Sequence, residues 1–329
     1  MMSLGIKHQS IAIALFALIL ICGEKASAQD AGLGPEDTIS VNTRLVRVSV
    51  SATDTRRHRA IALDASTLKL FADDREQQIA FIQQHEAPTT VAFLVDISDS
   101  MRGVAAQRTR HIVSTFVKAA DPRNNYVLFV FNNRFKRVGE YAGDQAGRKA
   151  LISALEHQKY GGGTALYTSA RDALRKVVET RRQGKLAFII ITDGVDNASF
   201  ANYRQMGNSL DTFGGFACAF VVSTPAYADG AYVPESETSR IAARLSEAIG
   251  AEAFVARGLE DDVTQIAQRV AEMMTLSVEL SFYPEFPTGE IGAHSIRVEY
   301  SNKPRNVKIN SRTRYIIEAT TASAGNGSF

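Results

Sequence analysis

Val91-Ala-Phe-Leu-Val-Asp-Ile-Ser-Asp-Ser-Met101 is the stretch on which the fold turns. Five apolar residues, several of them β-branched or aromatic, run straight into Asp96, Ser98 and Ser100, which is the composition of a buried strand. The three oxygen-bearing residues then fall in the loop at the strand's carboxyl end, where open α/β sheets bind ligands. One carboxylate and two hydroxyls at i, i+2 and i+4 make half a shell of hard oxygen ligands, suited to Mg2+ rather than Zn2+. Average residue usage produces Asp-x-Ser-x-Ser in roughly one chain in ten of this length, so the pattern needs support from elsewhere in the chain.

Outward on the carboxyl side, strands and helices alternate. Gly103–Ala120 reads as a helix with Ile112, Phe116 and Ala119 on its inward stripe. Tyr126–Phe131 is a second apolar strand, and 145–157 is a helix carrying Leu151 and Leu155. Gly161-Gly-Gly-Thr164 opens a helix through Val178, and Leu186–Ile191 is a third core strand that ends in Thr192-Asp-Gly194. A helix near 202–211, a strand at 216–222, a helix at about 237–249, a short strand near 252–255 and a helix at 260–275 complete the unit. Continuous apolar strands alternating with helices predict an α/β fold, a mainly parallel sheet with helices on both faces.

Both flanks read as β. Leu45–Ser51 alternates, with Val46, Val48 and Val50 on one face, and Leu68–Phe71 and Gln78–Ile82 are two short strands around an Asp73-Asp74 turn. Arg56-Arg-His-Arg59 reads as a solvated hairpin tip, with a polyanion patch as the alternative. After Met274, Leu276–Phe282, Ser295–Tyr300, Asn306–Ile309 and Arg314–Ile317 suit antiparallel strands, with Pro284, Pro287 and Gly289 marking the first turn. Each flank is too small to bury a core alone. The expectation is one small β-sandwich built from both, with the α/β unit inserted between them. The predicted divisions are an N-terminal β-rich segment at 29–87, the α/β unit at 88–275, a C-terminal β-rich segment at 276–318 and a small, polar, disordered tail at 319–329.

At 329 residues, 45% hydrophobic and 22% charged, the chain is globular and has room for one large or two ordinary domains. A net charge of +2 offers no global electrostatic case for nucleic acid or an anionic membrane. Lys7 and His8 precede the apolar run Ile11–Cys22, and Ala26-Ser-Ala28 supplies a small-residue cleavage site before Gln29. That predicts a secretory signal peptide over 1–28 and export to the periplasm or beyond. Its apolar core of 12 residues is too short to cross a bilayer of about 30 Å. No stable membrane span then remains after cleavage, retention as an uncleaved anchor being the alternative. Cys22 leaves with the leader, so Cys218 has no internal disulfide partner. Within Phe216–Val222 it reads as a core residue rather than a reactive thiol.

A hard-cation site at a sheet's carboxyl edge draws ligands from neighbouring loops. Thr164 follows three glycines, which let the backbone approach a ligand closely; the alternative is that it only caps the helix it opens. Asp193 directly follows a core strand; the alternative is a turn residue before Gly194. Asp96, Ser98, Ser100, Thr164 and Asp193 together offer two carboxylates and three hydroxyls, leaving a position for water or an incoming ligand.

In order and separation, Asp96-x-Ser-x-Ser100-Met, Gly162-Gly-Thr-Ala-Leu-Tyr167 and Thr192-Asp-Gly-x-Asp196 resemble the von Willebrand factor A domain with its metal-ion-dependent adhesion site, over about 88–275. The resemblance implies a Rossmann-like, doubly wound sheet with one antiparallel edge strand. It implies a divalent ion, usually Mg2+ (with Mn2+ or Ca2+ as alternatives), held by Ser98, Ser100 and Thr164, with Asp96 and Asp193 bound directly or through water. It also implies a protein partner whose Asp or Glu completes the shell. Asp196 and Ser199 match the wider loop and, with Gly163 and Gly194, are expected to shape it. Asp99 departs from the Gly common at its position; a third carboxylate there either strengthens cation binding or points to solvent. The flanks, through Val41–Val50, Leu70-Phe-Ala-Asp-Asp74, Tyr283 and Arg314-Tyr315, look like bacterial exported proteins described as VWFA-related.

The expected function is a non-enzymatic adhesion or assembly module. A scaffold whose ion only stiffens the loops is a second reading. A Mg2+-dependent hydrolase is a third, but the chain has no Gly-x-x-x-x-Gly-Lys phosphate loop. His8, His58, His85, His111, His157 and His294 all fall outside the metal loops, which leaves Ser98 and Ser100 without a base. Export and the near-zero net charge disfavour nucleic acid as a partner.

Overall fold

A computed structural model of the chain describes residues 45–84, 88–179, 184–223, 235–257, 261–285, 291–302 and 304–317. The expected signal peptide, the lead-in, Pro287, Gly289 and the expected tail lie outside the described residues. Five strands come first: β1 (Val46–Asp54), β2 (Arg59–Ile61), β3 (Leu68–Ala72), β4 (Arg75–Gln77) and β5 (Ile79–Gln83). Next are β6 (Thr89–Asp96), α1 (Val104–Ala119), β7 (Asn125–Phe131), β8 (Phe135–Ala142), α2 (Gln145–Glu156) and α3 (Leu166–Glu179). These are followed by β9 (Lys185–Thr192), α4 (Tyr203–Phe213), β10 (Phe216–Val222), α5 (Glu235–Ile249), β11 (Ala253–Ala256) and α6 (Asp261–Leu276). Last are β12 (Val278–Phe282), β13 (Gly292–Tyr300), β14 (Val307–Ser311) and β15 (Arg314–Ile317).

The central sheet has the order β11-β10-β9-β6-β7-β8. All its pairings are parallel except that of β8, which is antiparallel to β7 at the edge. Successive side chains of a strand point to opposite faces, so β6 serves two cores at once. Val91, Phe93 and Val95 pack with Ile112, Phe116, Val270 and Met274 of α1 and α6 on one face. Ala92 and Leu94 pack with Leu166, Leu174, Leu210 and Leu245 of α3, α4 and α5 on the other. That double coverage is why β6 and β9 are apolar along their length. The fold is the doubly wound α/β sheet expected. The residue pattern alone placed no strand at 135–142, because Phe-Lys-Arg-Val-Gly-Glu-Tyr-Ala is half-polar. As an edge strand it has only one neighbour, and its charged, exposed positions keep that edge soluble.

The flanks build two antiparallel sheets. One has the order β14-β1-β12-β5, with β2 also pairing β1; the other has the order β15-β13-β3-β4. β1 meets β12 in register from Val46↔Phe282 to Val50↔Val278. Val46, Val48, Val50, Val278, Leu280 and Phe282 face Leu70, Ile296, Val298 and Tyr315 in one shared core. Fully burying one such side chain contributes about 1.5–3 kcal/mol. One local expectation is corrected: the Asp73-Asp74 turn closes onto β4, not onto 78–82. Both aspartates take positive φ, 45° and 60°, as a tight two-residue hairpin requires, and β5 then crosses to the other sheet to pair β12.

The reverse faces of β1 and β12 dock against the amino ends of the central strands. Ser49 N–H donates to Gly214 O at 3.1 Å, just before β10. Lys185, the first residue of β9, brings Nζ to 3.4, 3.3 and 3.2 Å from the carbonyl oxygens of Met274, Thr275 and Ser277. A cation there suits the negative end of α6. Arg47 pairs with Glu279 at 3.4 Å, and Arg312 donates to the carbonyls of Asp211 and Arg47. The sandwich thus occupies the amino end of the sheet and leaves the carboxyl end to its loops. No helix among the described residues is long and apolar enough to cross a membrane.

Candidate metal centre

Three loops meet at the carboxyl edge. β6 ends on Asp96 and β9 ends on Thr192, with Asp193 directly after it; Thr164 lies just ahead of α3. Asp96, Ser98, Thr164 and Asp193 are all buried. Asp96 Oδ1 accepts from Ser98 N–H at 2.9 Å, and its Oδ2 accepts from Thr192 Oγ1 at 2.7 Å. The hydroxyls of Ser98 and Ser100 lie 3.3 Å apart. Thr164 N–H donates to Asn197 Oδ1 at 2.8 Å, and Thr164 O accepts from Asn197 N–H at 3.0 Å and Ala198 N–H at 3.1 Å. Gly161 N–H donates to Ile97 O at 2.7 Å, and Asp99 N–H to Gly162 O at 3.0 Å. Backbone bonds therefore hold the glycine loop to both carboxylate-bearing loops.

The electrostatics are unfavourable as they stand. Burial, and then the neighbouring Asp193 carboxylate, pushes Asp96 up to about 7. Burial also raises Asp193, with the Ser100 hydroxyl opposing. Asp193 Oδ1 accepts from Val195 N–H at 3.1 Å, which is the turn role, but its buried Oδ2 has no hydrogen-bond partner. A buried carboxylate pair with an unbonded oxygen is costly unless a cation joins it. No group of three or more His, Cys, Asp or Glu among the described residues could hold a metal, so the hydroxyls of Ser98, Ser100 and Thr164 would have to supply the remaining ligands. An all-oxygen donor set of this kind fits a hard cation.

Residues 90–242 match the family model of the von Willebrand factor type A domain. All three loops lie inside that span. No curated protein matches the chain. Among solved structures it is similar to a von Willebrand factor type A protein from Catenulispora acidiphila, at 11% identity over 79% of this chain and 77% of that one, with a TM-score of 0.45. It is also similar to BatB, a conserved hypothetical protein from Bacteroides thetaiotaomicron, at 16% identity over 56% and 98% with a TM-score of 0.44. A third is the pilus adhesin SpaC from Lactobacillus rhamnosus GG in an open conformation, at 12% identity over 81% and 45% with a TM-score of 0.45.

The residues expected to shape the loops each have a visible task. Asp196 Oδ2 accepts from Tyr167 N–H at 3.0 Å and from Ser199 Oγ at 2.6 Å, and Ser199 Oγ accepts from Thr168 N–H at 3.0 Å. These bonds satisfy the first turn of α3 from another loop. The capping carbonyl of α3 is that of Ala165, which accepts from Ser169 N–H at 3.0 Å, so Thr164 stands one residue ahead of the cap. A Cβ on Gly163 would meet Asn197 Oδ1 at 2.8 Å. Gly194, at φ +81°, leaves room for Ile241, whose Cγ2 would lie 2.1 Å from a Cβ. Asp99 lies at the surface, its side chain 64% accessible, and is bonded there. Its Oδ2 accepts from Gly162 N–H at 3.0 Å and its Oδ1 pairs with Arg102 at 2.8 Å, so it braces the glycine loop. Three contributors were not anticipated: Thr192, Asn197 and Asn132, whose Nδ2 donates to Gly161 O at 2.7 Å. The available signal was position, since Asn132 directly follows β7 at the same edge.

Proposed function

We propose that this A domain binds a divalent cation, Mg2+ first with Mn2+ or Ca2+ as alternatives, and through it a protein partner that presents Asp or Glu. Ser98, Ser100 and Thr164 would hold the ion, with Asp96 and Asp193 bound directly or through water. Once bound, the ion neutralises the buried pair and offers a Lewis-acidic contact to an anionic oxygen. The observation that carries the reading is the buried Asp96–Asp193 pair, with Asp193 Oδ2 unbonded, at the edge the sandwich leaves open. A charge-assisted contact partly shielded from water is strong enough to anchor an interface. The reading is non-enzymatic, and the engaged histidines support it. His111 bonds Thr264 Oγ1, His157 bonds Ser153 O and His294 bonds Asp73, all away from Ser98 and Ser100. The expected leader at 1–28 supports a location outside the cytoplasm.

Calorimetric titration of Mg2+, Mn2+ and Ca2+ into the chain is expected to show one site that Asp96→Ala abolishes. Binding to co-exported proteins is then compared in Mg2+ and in EDTA. Equal partner binding in both media, and by Asp96→Ala, sinks the proposal. A cation that raises the melting temperature without changing partner binding points instead to a purely stabilising ion, the second reading that the same buried pair permits.

A further inference from the structure

Phe200 is 97% exposed, far more than the other large apolar side chains at the surface of the described residues. A flexible loop would fold such a ring against the protein, but this loop is tethered. The N–H groups of Phe200 and Ala201 both donate to Thr168 Oγ1 at 2.9 Å. Ser199 N–H donates to Asp196 Oδ1 at 3.3 Å, and Ala201 beside the ring is buried. Asn197 and Ala198, three and two residues before Phe200, are bonded to Thr164. The backbone that carries the ring is therefore fixed relative to the cation loops. On the glycine-loop side, Arg102 is exposed and so close to Gly161 that a Cβ there would meet its Nη2 at 2.9 Å. Arg134 and Lys159, also exposed, sit on loops of the same edge. Arg102 is ion-paired with Asp99; the charges of Arg134 and Lys159 suit an acidic segment. The ring suits an apolar side chain next to the acid.

We propose that Phe200 is the apolar anchor of this face, and that the partner is an acidic peptide segment whose Asp or Glu reaches the Ser98–Thr164–Asp193 site while an adjacent aliphatic or aromatic side chain covers the ring. The proposal rests on the cation reading above. An exposed aromatic side chain on a tethered backbone has only two side-chain torsions to order on contact, and such residues dominate interface energies.

The test selects a displayed random dodecapeptide library on the full chain in Mg2+. The best peptide is then measured by fluorescence anisotropy against the wild type, Phe200→Ala, Phe200→Tyr, Asp96→Ala and Phe81→Ala, the last being an exposed aromatic on the sandwich. The expected peptides pair an acidic with an apolar residue, bind only in Mg2+, and lose about 30-fold with Phe200→Ala. They lose only a few-fold with Phe200→Tyr and nothing with Phe81→Ala, while the Phe200→Ala melting temperature stays unchanged. Metal-dependent peptides that bind Phe200→Ala as tightly as wild type overturn the anchor and leave the cation reading standing. Phe200-dependent peptides that bind equally in EDTA and to Asp96→Ala overturn the cation reading and leave the anchor. Recovery of no peptide that depends on either Mg2+ or Phe200 overturns both.

Discussion

Asp96→Asn exchanges one carboxylate oxygen at the end of β6 for an amide and removes the charge that burial and Asp193 oppose. Folding of the metal-free chain moves this carboxyl from 3.8 to about 7. At about 1.4 kcal/mol per unit, that displacement corresponds to about 4 kcal/mol. The sign follows from the raised value. The folded state holds the proton more tightly, so the group's stabilising contribution is complete below 3.8 and is lost as the pH rises through 7. Asn escapes this loss, but it can accept only one of the two hydrogen bonds from Ser98 N–H and Thr192 Oγ1, which costs about 1–2 kcal/mol. The net expectation at pH 8 in EDTA is a variant about 2–3 kcal/mol more stable than wild type, with the advantage gone near pH 4. A cation at a hundred times its dissociation constant adds about 2.7 kcal/mol to the protein that binds it, so Mg2+ should close or reverse the difference. The chain has no Trp, so urea unfolding is followed by circular dichroism across pH 4–8 in EDTA and in Mg2+. A variant less stable than wild type in EDTA, by an amount independent of pH, would refute the reasoning.

Other perturbations test separate parts of the molecule. Lys185 is held at about 8 by burial; a lowered folded value means stability is gained as pH rises from 8 toward 10.5, by up to about 3 kcal/mol, and Lys185→Met should flatten that rise in urea titrations relative to wild type. Gly194→Ala combines a left-handed backbone with a 2.1 Å approach to Ile241 and should cost about 2–4 kcal/mol; an unchanged melting temperature would contradict the packing described. Burial pushes the Cys218 thiol up, so alkylation of its peptide, read by mass spectrometry, should proceed only at the rate of unfolding.

The central strands were legible because a strand covered on both faces has no polar positions to blur it, as β6 and β9 show. β8 and β4 were not, because an edge strand or a three-residue pairing leaves most positions polar. The five candidate ligands were legible because they stand at strand ends or just before a helix, where type and position agree. Asn132 and Asn197 were hidden by being ordinary loop residues whose partners are a glycine carbonyl and a threonine amide far along the chain. Asp99 could be settled only by its neighbours, since a carboxylate in that loop has several oxygens and amides within reach. The polar seat of the sandwich was equally hidden. Lys185 reads as a solvated strand start until Ser277, at the far end of the unit, supplies the carbonyl it serves.

The pairing of β1 with β12 also sets a timetable for biosynthesis. Roughly 220 residues separate Asp54 from Val278, and at about 5–20 residues per second their synthesis takes on the order of ten to forty-five seconds. Through that interval the valine row of β1 lacks its neighbour β12 and all of the facing sheet but β3 and β4, whereas the central strands pair only with one another and need no strand made after β11. A nascent chain stalled before β12 would therefore present sticky valines at one end and a paired central sheet at the other.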